Sequence, residues 1–114
     1  MKRLFLIVAL LFAVATSGLA QSSRAQSYQR EAEYYQKRAE SYRREAEYYL
    51  KKAEGYQREA AYYTKRGDIR SANLQSDYAK RAMDNYELQM RYAAEADEKA
   101  AMNLRWAADA LKRY

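Results

Sequence analysis

Tyr34, Tyr48 and Tyr62 recur at intervals of 14 residues, and each is followed four residues later by a cation, Arg38, Lys52 and Arg66 respectively. Residues four apart are neighbours on the surface of a helix, so each pair can set a positive charge against the face of a phenol ring. Aromatic rings beside cations suit two kinds of partner. One is single-stranded nucleic acid, whose bases stack on rings in a charged groove. The other is an anionic surface such as lipid headgroups or cell-wall polymer, for which Lys37, Arg44, Lys51 and Arg58 are the candidate contacts. The simpler expectation is that ring and cation satisfy each other. A nucleic-acid partner is disfavoured, because most Tyr residues fall at the spacing of a packed seam and the N-terminus carries the marks of export.

Catalytic groups are scarce. Glu31 with Glu33, and Asp97 with Glu98, are paired carboxylates, but acid–base work needs a pocket that shifts a pKa toward the working pH. The chain has no Cys and no His, so thiol, imidazole and soft-metal chemistry are excluded. It has neither a Gly-rich phosphate loop nor a nucleophile elbow. The expectation is therefore a non-enzymatic protein with no cofactor, no metal and no small-molecule substrate.

The elements that position these residues are written as repeats. SYQREAEYYQKRAE (Ser27 to Glu40), SYRREAEYYLKKAE (Ser41 to Glu54) and GYQREAAYYTKRGD (Gly55 to Asp68) are one 14-residue unit written three times. Fourteen is two heptads. Tyr28, Ala32, Tyr35, Ala39, Tyr42, Ala46, Tyr49, Ala53, Tyr56, Ala60 and Tyr63 alternate at steps of four and three, which is the pattern of a coiled-coil seam with Ala at every a and Tyr at every d position. Glu33 with Lys37, Glu40 with Arg44, Glu47 with Lys51 and Glu54 with Arg58 are acid-first pairs four apart, the better orientation on a helix.

Lys65, Arg66, Gly67 and Asp68 together signal a helix end, with Asp68 or Ser71 placed to cap a second helix. Beyond this point a new seam is expected along Met83, Tyr86, Met90, Ala93, Asp97, Ala100, Leu104, Ala107, Leu111 and Tyr114. Tyr78, Tyr92 and Trp106 continue the 14-residue beat. Two arms of nearly equal length joined by a short link predict antiparallel neighbours. One continuous helix with a local discontinuity is the alternative.

Lys2 and Arg3, the apolar run Leu4 to Ala15, and the small residues Gly18-Leu19-Ala20 read as a cleaved signal peptide; a retained anchor is the other reading, although a dozen apolar residues fall short of the roughly 20 needed to span a bilayer. The organisation is thus 1–20 signal peptide, 21–67 first arm and 68–114 second arm, with secreted or periplasmic localisation after cleavage near Ala20. Of the net charge of +6, Lys2 and Arg3 supply two units, and the remaining four lie in the first arm.

The fragment Glu33-Tyr34-Tyr35-Gln36-Lys37-Arg38-Ala39 is similar to part of a tetratricopeptide or Sel1-type helix. Those repeats need about 34 residues with a turn inside each unit, and nothing here interrupts the helix between units.

The fold class expected is all-α: two long helices in an antiparallel coiled-coil hairpin, with hairpins associating into a helical bundle. Few large aliphatic residues are available for a core, so self-association is expected to supply stability. The candidate interface is Tyr35, Ala39, Tyr42, Ala46, Tyr49 and Ala53 on the first arm and Met83, Tyr86, Met90, Leu104 and Leu111 on the second. Ala82, Ala94, Ala96, Ala101, Ala108 and Ala110 are expected to flank the second seam and widen its apolar face. The expected role is structural or adaptor-like, through homo-oligomers or an envelope protein. The alternative is a cell-envelope surface-binding module that uses the basic, Tyr-rich first helix.

Overall fold

The computed structural model describes residues 23–112. The expected signal peptide and Tyr114 lie outside them. Two helices, α1 (Ser23–Lys65) and α2 (Ile69–Lys112), pack against each other as an antiparallel hairpin with no strand among the described residues. The continuous-helix alternative is excluded by the reversal between them. Both helices consist largely of Ala, Glu, Gln, Lys and Arg, residues that lose little freedom on becoming helical.

Gly67 makes the reversal. Its φ is +77°, a left-handed conformation that costs glycine little. The Asp68 N–H donates to the Tyr63 carbonyl at 3.0 Å and the Gly67 N–H donates to the Thr64 carbonyl at 3.1 Å. Those two bonds form a Schellman motif and satisfy carbonyls that the end of α1 would otherwise leave unpaired. Asp68 then opens α2. Its Oδ1 accepts the Ser71 N–H at 3.1 Å and its Oδ2 accepts the Ser71 hydroxyl at 2.8 Å. These bonds, with the Arg66 charge, hold the Asp68 carboxyl below its usual value.

The described chain divides into two compact units. The first joins α1 up to Ala39 with α2 from Glu95 onward, and the second, Glu40–Ala94, contains the turn. In the first unit the buried residues are Ala25, Gln29, Ala32 and Ala39 of α1 and Ala96, Ala100, Asn103, Ala107 and Ala110 of α2. In the second they are Ala46 and Ala53 of α1 and Ala72, Ala79, Ala82 and Ala93 of α2. No large side chain is fully buried among the described residues. Thirteen of the fifteen buried residues among those described are Ala, so the core is almost wholly methyl groups.

This core corrects the expected seam of α2. Ala93, Ala100 and Ala107 are buried as expected, but the other half of the stripe runs through Ala82, Ala96, Asn103 and Ala110, one residue before the expected Met83, Asp97, Leu104 and Leu111. Met83, Met90, Leu104 and Leu111 are half-buried on the flank. The Ala ridge of α1 leaves too little space between the helices for Met or Leu, so α2 presents its own small residues to the centre. Ala82, Ala96 and Ala110 are therefore used inside the hairpin and not on an outer face. Ala94 and Ala108 are exposed and Ala101 is half-buried.

Candidate functional site

The Tyr residues of α1 flank its Ala ridge, and α2 answers them in antiparallel register. In the first unit Tyr28 meets Trp106, with ring centroids 5.7 Å apart. In the second, Tyr42 meets Tyr92 and Tyr56 meets Tyr78, both at 5.4 Å. Each step of 14 residues forward along α1 is matched by 14 backward along α2. These tilted contacts across the helices add specific aromatic energy to the area they bury.

Between these pairs lies a second type of cluster. Tyr34 packs its ring against Tyr35 at 5.2 Å, Tyr48 against Tyr49 at 5.4 Å and Tyr62 against Tyr63 at 5.3 Å, all close to edge-on. The outer ring of each cluster is about half exposed, Tyr34 at 50%, Tyr48 at 53% and Tyr62 at 49%.

The cations expected from spacing stand over the same outer rings: Arg38 lies 5.6 Å from the centre of Tyr34, Lys52 5.2 Å from Tyr48 and Arg66 5.4 Å from Tyr62. Arg38 Nη1 also donates to the Tyr34 hydroxyl at 3.1 Å, and the Arg66 guanidinium donates to the Tyr62 hydroxyl. The hydrogen bond with Tyr48, helped by the phenols of Tyr48 and Tyr56, raises the Lys52 ammonium above its ordinary value. A cation from α2, Lys99, joins the first unit's cluster 5.5 Å from the centre of Tyr35.

Three of the four cations singled out for an anionic surface are in ion pairs on α1. Lys37 reaches Glu33 at 3.4 Å, Arg44 reaches Glu40 at 3.3 Å and Lys51 reaches Glu47 at 3.5 Å. Their side chains remain 75%, 68% and 74% exposed, so each pair is weak and readily exchanged. Arg58 is exposed as well. Of the candidate interface, Ala39, Ala46 and Ala53 are buried inside the hairpin, whereas Tyr35, Tyr42, Tyr49, Met83, Tyr86, Met90, Leu104 and Leu111 are half-buried.

Two open clefts lie in the second unit. The one that includes Tyr49, Lys52, Tyr56, Tyr78, Arg81 and Asn85 has a volume of about 160 Å³, below the roughly 300–1,000 Å³ of small-molecule sites. The other, bordered by Gln57, Ala60, Ser76, Ala79, Lys80 and Met83, is a shallow trough of about 440 Å³. Among the described residues no three His, Cys, Asp or Glu side chains converge as metal ligands, and no helix is long and apolar enough to cross a membrane.

The aromatic pairs across the helices were only half visible in the sequence. The 14-residue beat of Tyr78, Tyr92 and Trp106 was plain, but which Tyr of α1 each would meet depends on the length of the turn. Lys99 carried no sequence signal, because it belongs to no repeated pair. No family model matches the chain, and no curated protein or solved structure matches it.

Proposed function

We propose that this is an exported, non-enzymatic coiled-coil protein with a structural or adaptor role, which self-associates into a helical bundle. The observation that carries the reading is the composition of the core: Ala residues fill almost all of it and no large side chain is fully buried. A hairpin whose fully buried core is methyl groups, with its rings only half covered, removes less apolar area from water than a core of large side chains would. Meanwhile Met83, Met90, Leu104 and Leu111 stand half-buried at heptad intervals on the flank of α2. Covering that flank with the same flank of a second hairpin recovers the missing burial, and a symmetric pairing of identical surfaces closes the assembly. Sedimentation of the full-length chain tests this directly. A concentration-dependent oligomer that folds as it associates is expected; a stable, cooperatively folded monomer at micromolar concentration overturns the proposal.

One observation favours a second reading, in which α1 binds an anionic lipid surface or cell-wall polymer. The exposed cations Lys37, Arg44 and Lys51 are held only by weak surface pairs, and the Tyr–cation pairs recur along the same helix. Replacing Lys37, Arg44, Lys51 and Arg58 together by Gln separates the two. Assembly survives under the first reading, and salt-sensitive association with anionic vesicles or cell-wall polymer is lost under the second.

A further inference from the structure

The cross-helix pairs Tyr42–Tyr92 and Tyr56–Tyr78 place phenol rings of opposite helices 5.4 Å apart, with interplanar angles of 52° and 50°. We propose that these two pairs are sites of oxidative cross-linking, each converted into a biphenol bond that ties α1 covalently to α2. The inference does not depend on where the chain resides.

The chemistry follows from the rings themselves. A phenol that loses one electron and its hydroxyl proton becomes a phenoxyl radical, whose unpaired spin is shared between the oxygen and the ring carbons ortho and para to it. The para carbon of tyrosine carries the side-chain attachment, so coupling occurs at an ortho carbon. When two such radicals meet, an ortho–ortho carbon–carbon bond forms, and the displaced ring hydrogens move to the oxygens and restore both phenols. The oxidant is hydrogen peroxide acting through a haem peroxidase. One peroxide accepts two electrons and two protons and becomes two waters, so two phenols and one peroxide yield one biphenol and two waters.

Geometry selects the partners. In a biphenol the rings settle at an intermediate twist, because conjugation favours coplanarity while the ortho substituents push the rings apart, and planes at 50° and 52° are compatible with that twist once the rings close by about 1 Å. The sequence neighbours Tyr34–Tyr35, Tyr48–Tyr49 and Tyr62–Tyr63 are also close, but at 71°, 66° and 72° the rim of one ring faces the plane of the other. Access is not a barrier, since Tyr92 is 38% exposed and Tyr42, Tyr56 and Tyr78 are half-buried. The chain has no Cys, so no disulfide can take this role. The third cross-helix pair, Tyr28 with Trp106 at 5.7 Å, is a built-in control, because one of its rings is not a phenol.

The test treats the full-length chain with hydrogen peroxide and a haem peroxidase, isolates the band migrating as a single chain, and maps linked peptides by mass spectrometry. The expected result is a loss of two hydrogens per link, with Tyr42–Tyr92 and Tyr56–Tyr78 as the dominant links. Held neighbours have effective concentrations of at least the millimolar order, so at about 10 μM protein intrachain links should exceed those between chains that meet by diffusion by roughly a hundredfold. The double substitution Tyr42→Phe with Tyr56→Phe, its helicity checked by circular dichroism, should abolish both links. Trp106→Tyr should add a third, at Tyr28, and urea should erase the selectivity. Links mainly between chains, mainly between the sequence neighbours, or unchanged in urea overturn the proposal, as does failure of Trp106→Tyr to add its link.

Discussion

Lys99 of α2 sets its ammonium 5.5 Å from the centre of the Tyr35 ring, although the Tyr residues seven positions to either side, Tyr28 and Tyr42, meet aromatic rings of α2. A cation thus replaces a ring at an intermediate step of the aromatic ladder. A double-mutant cycle with Tyr35→Leu and Lys99→Met, followed by urea unfolding at fixed protein concentration, should give a coupling of about 0.5–1 kcal/mol, the range for exposed cation–π contacts. A coupling indistinguishable from zero would show that the proximity carries no energy.

Ala46 is 1% exposed in the ridge of α1. Replacing it by Leu forces the backbones apart and should destabilise the chain by about 1–3 kcal/mol, the range for overpacking a filled core. The same change at exposed Ala94 should stay within about 0.5 kcal/mol of the starting chain. Equal effects at the two positions, measured by chemical unfolding, would mean that Ala is not required in the ridge.

Two glycines should respond in opposite directions. Gly67 has a φ of +77°, so Gly67→Ala should cost about 1–2 kcal/mol through left-handed strain, even though no atom lies within 4 Å of an added Cβ. Gly55 lies inside α1 with no such φ and equally open surroundings. Gly55→Ala should therefore stabilise the chain by about 0.5–1 kcal/mol, mainly by limiting the unfolded state.

The Asp68 cap should be visible in the pH dependence of stability. Its folded carboxyl is held below the ordinary value by the Ser71 N–H first, then by the Ser71 hydroxyl and the Arg66 charge. A depressed carboxyl contributes stability above its unfolded pKa of about 3.9, and that contribution disappears as pH falls through the lower folded value. At neutral pH, Asp68→Ala should lower the melting temperature, and Asp68→Asn, which keeps an acceptor, should restore most of the loss. Below about pH 4 the gap between the parent and Asp68→Ala should narrow. A gap that stays constant with pH would exclude an ionised cap.

Much of this fold was written in local pattern. Ala32, Ala39, Ala46 and Ala53 lie where the heptad places a positions, and all four are buried to 1% exposure or less. Gly67 and Asp68 close one helix and open the next as their residue types indicate. The ion pairs from Lys37, Arg44 and Lys51, and the Tyr–cation pairs, form at the four-residue spacing that suggested them. The phase of α2 was not legible in the same way. Large apolar residues at heptad spacing ordinarily mark a core, and that expectation favoured Met83, Met90, Leu104 and Leu111. Here the spacing between helices is set by the Ala ridge of the other arm, a constraint that acts across the turn and leaves no trace within α2 itself. For the same reason the contact of Lys99 with Tyr35 could be found only once the register was known.

That shared register has a consequence for how such a chain can change in length. Because the fourteen-residue beat runs forward in one arm and backward in the other, a block added to a single arm would keep its rings in phase but leave one block with no opposite number. Growth or loss can leave every block opposed only when both arms change together, by one whole block each, with the bend left untouched.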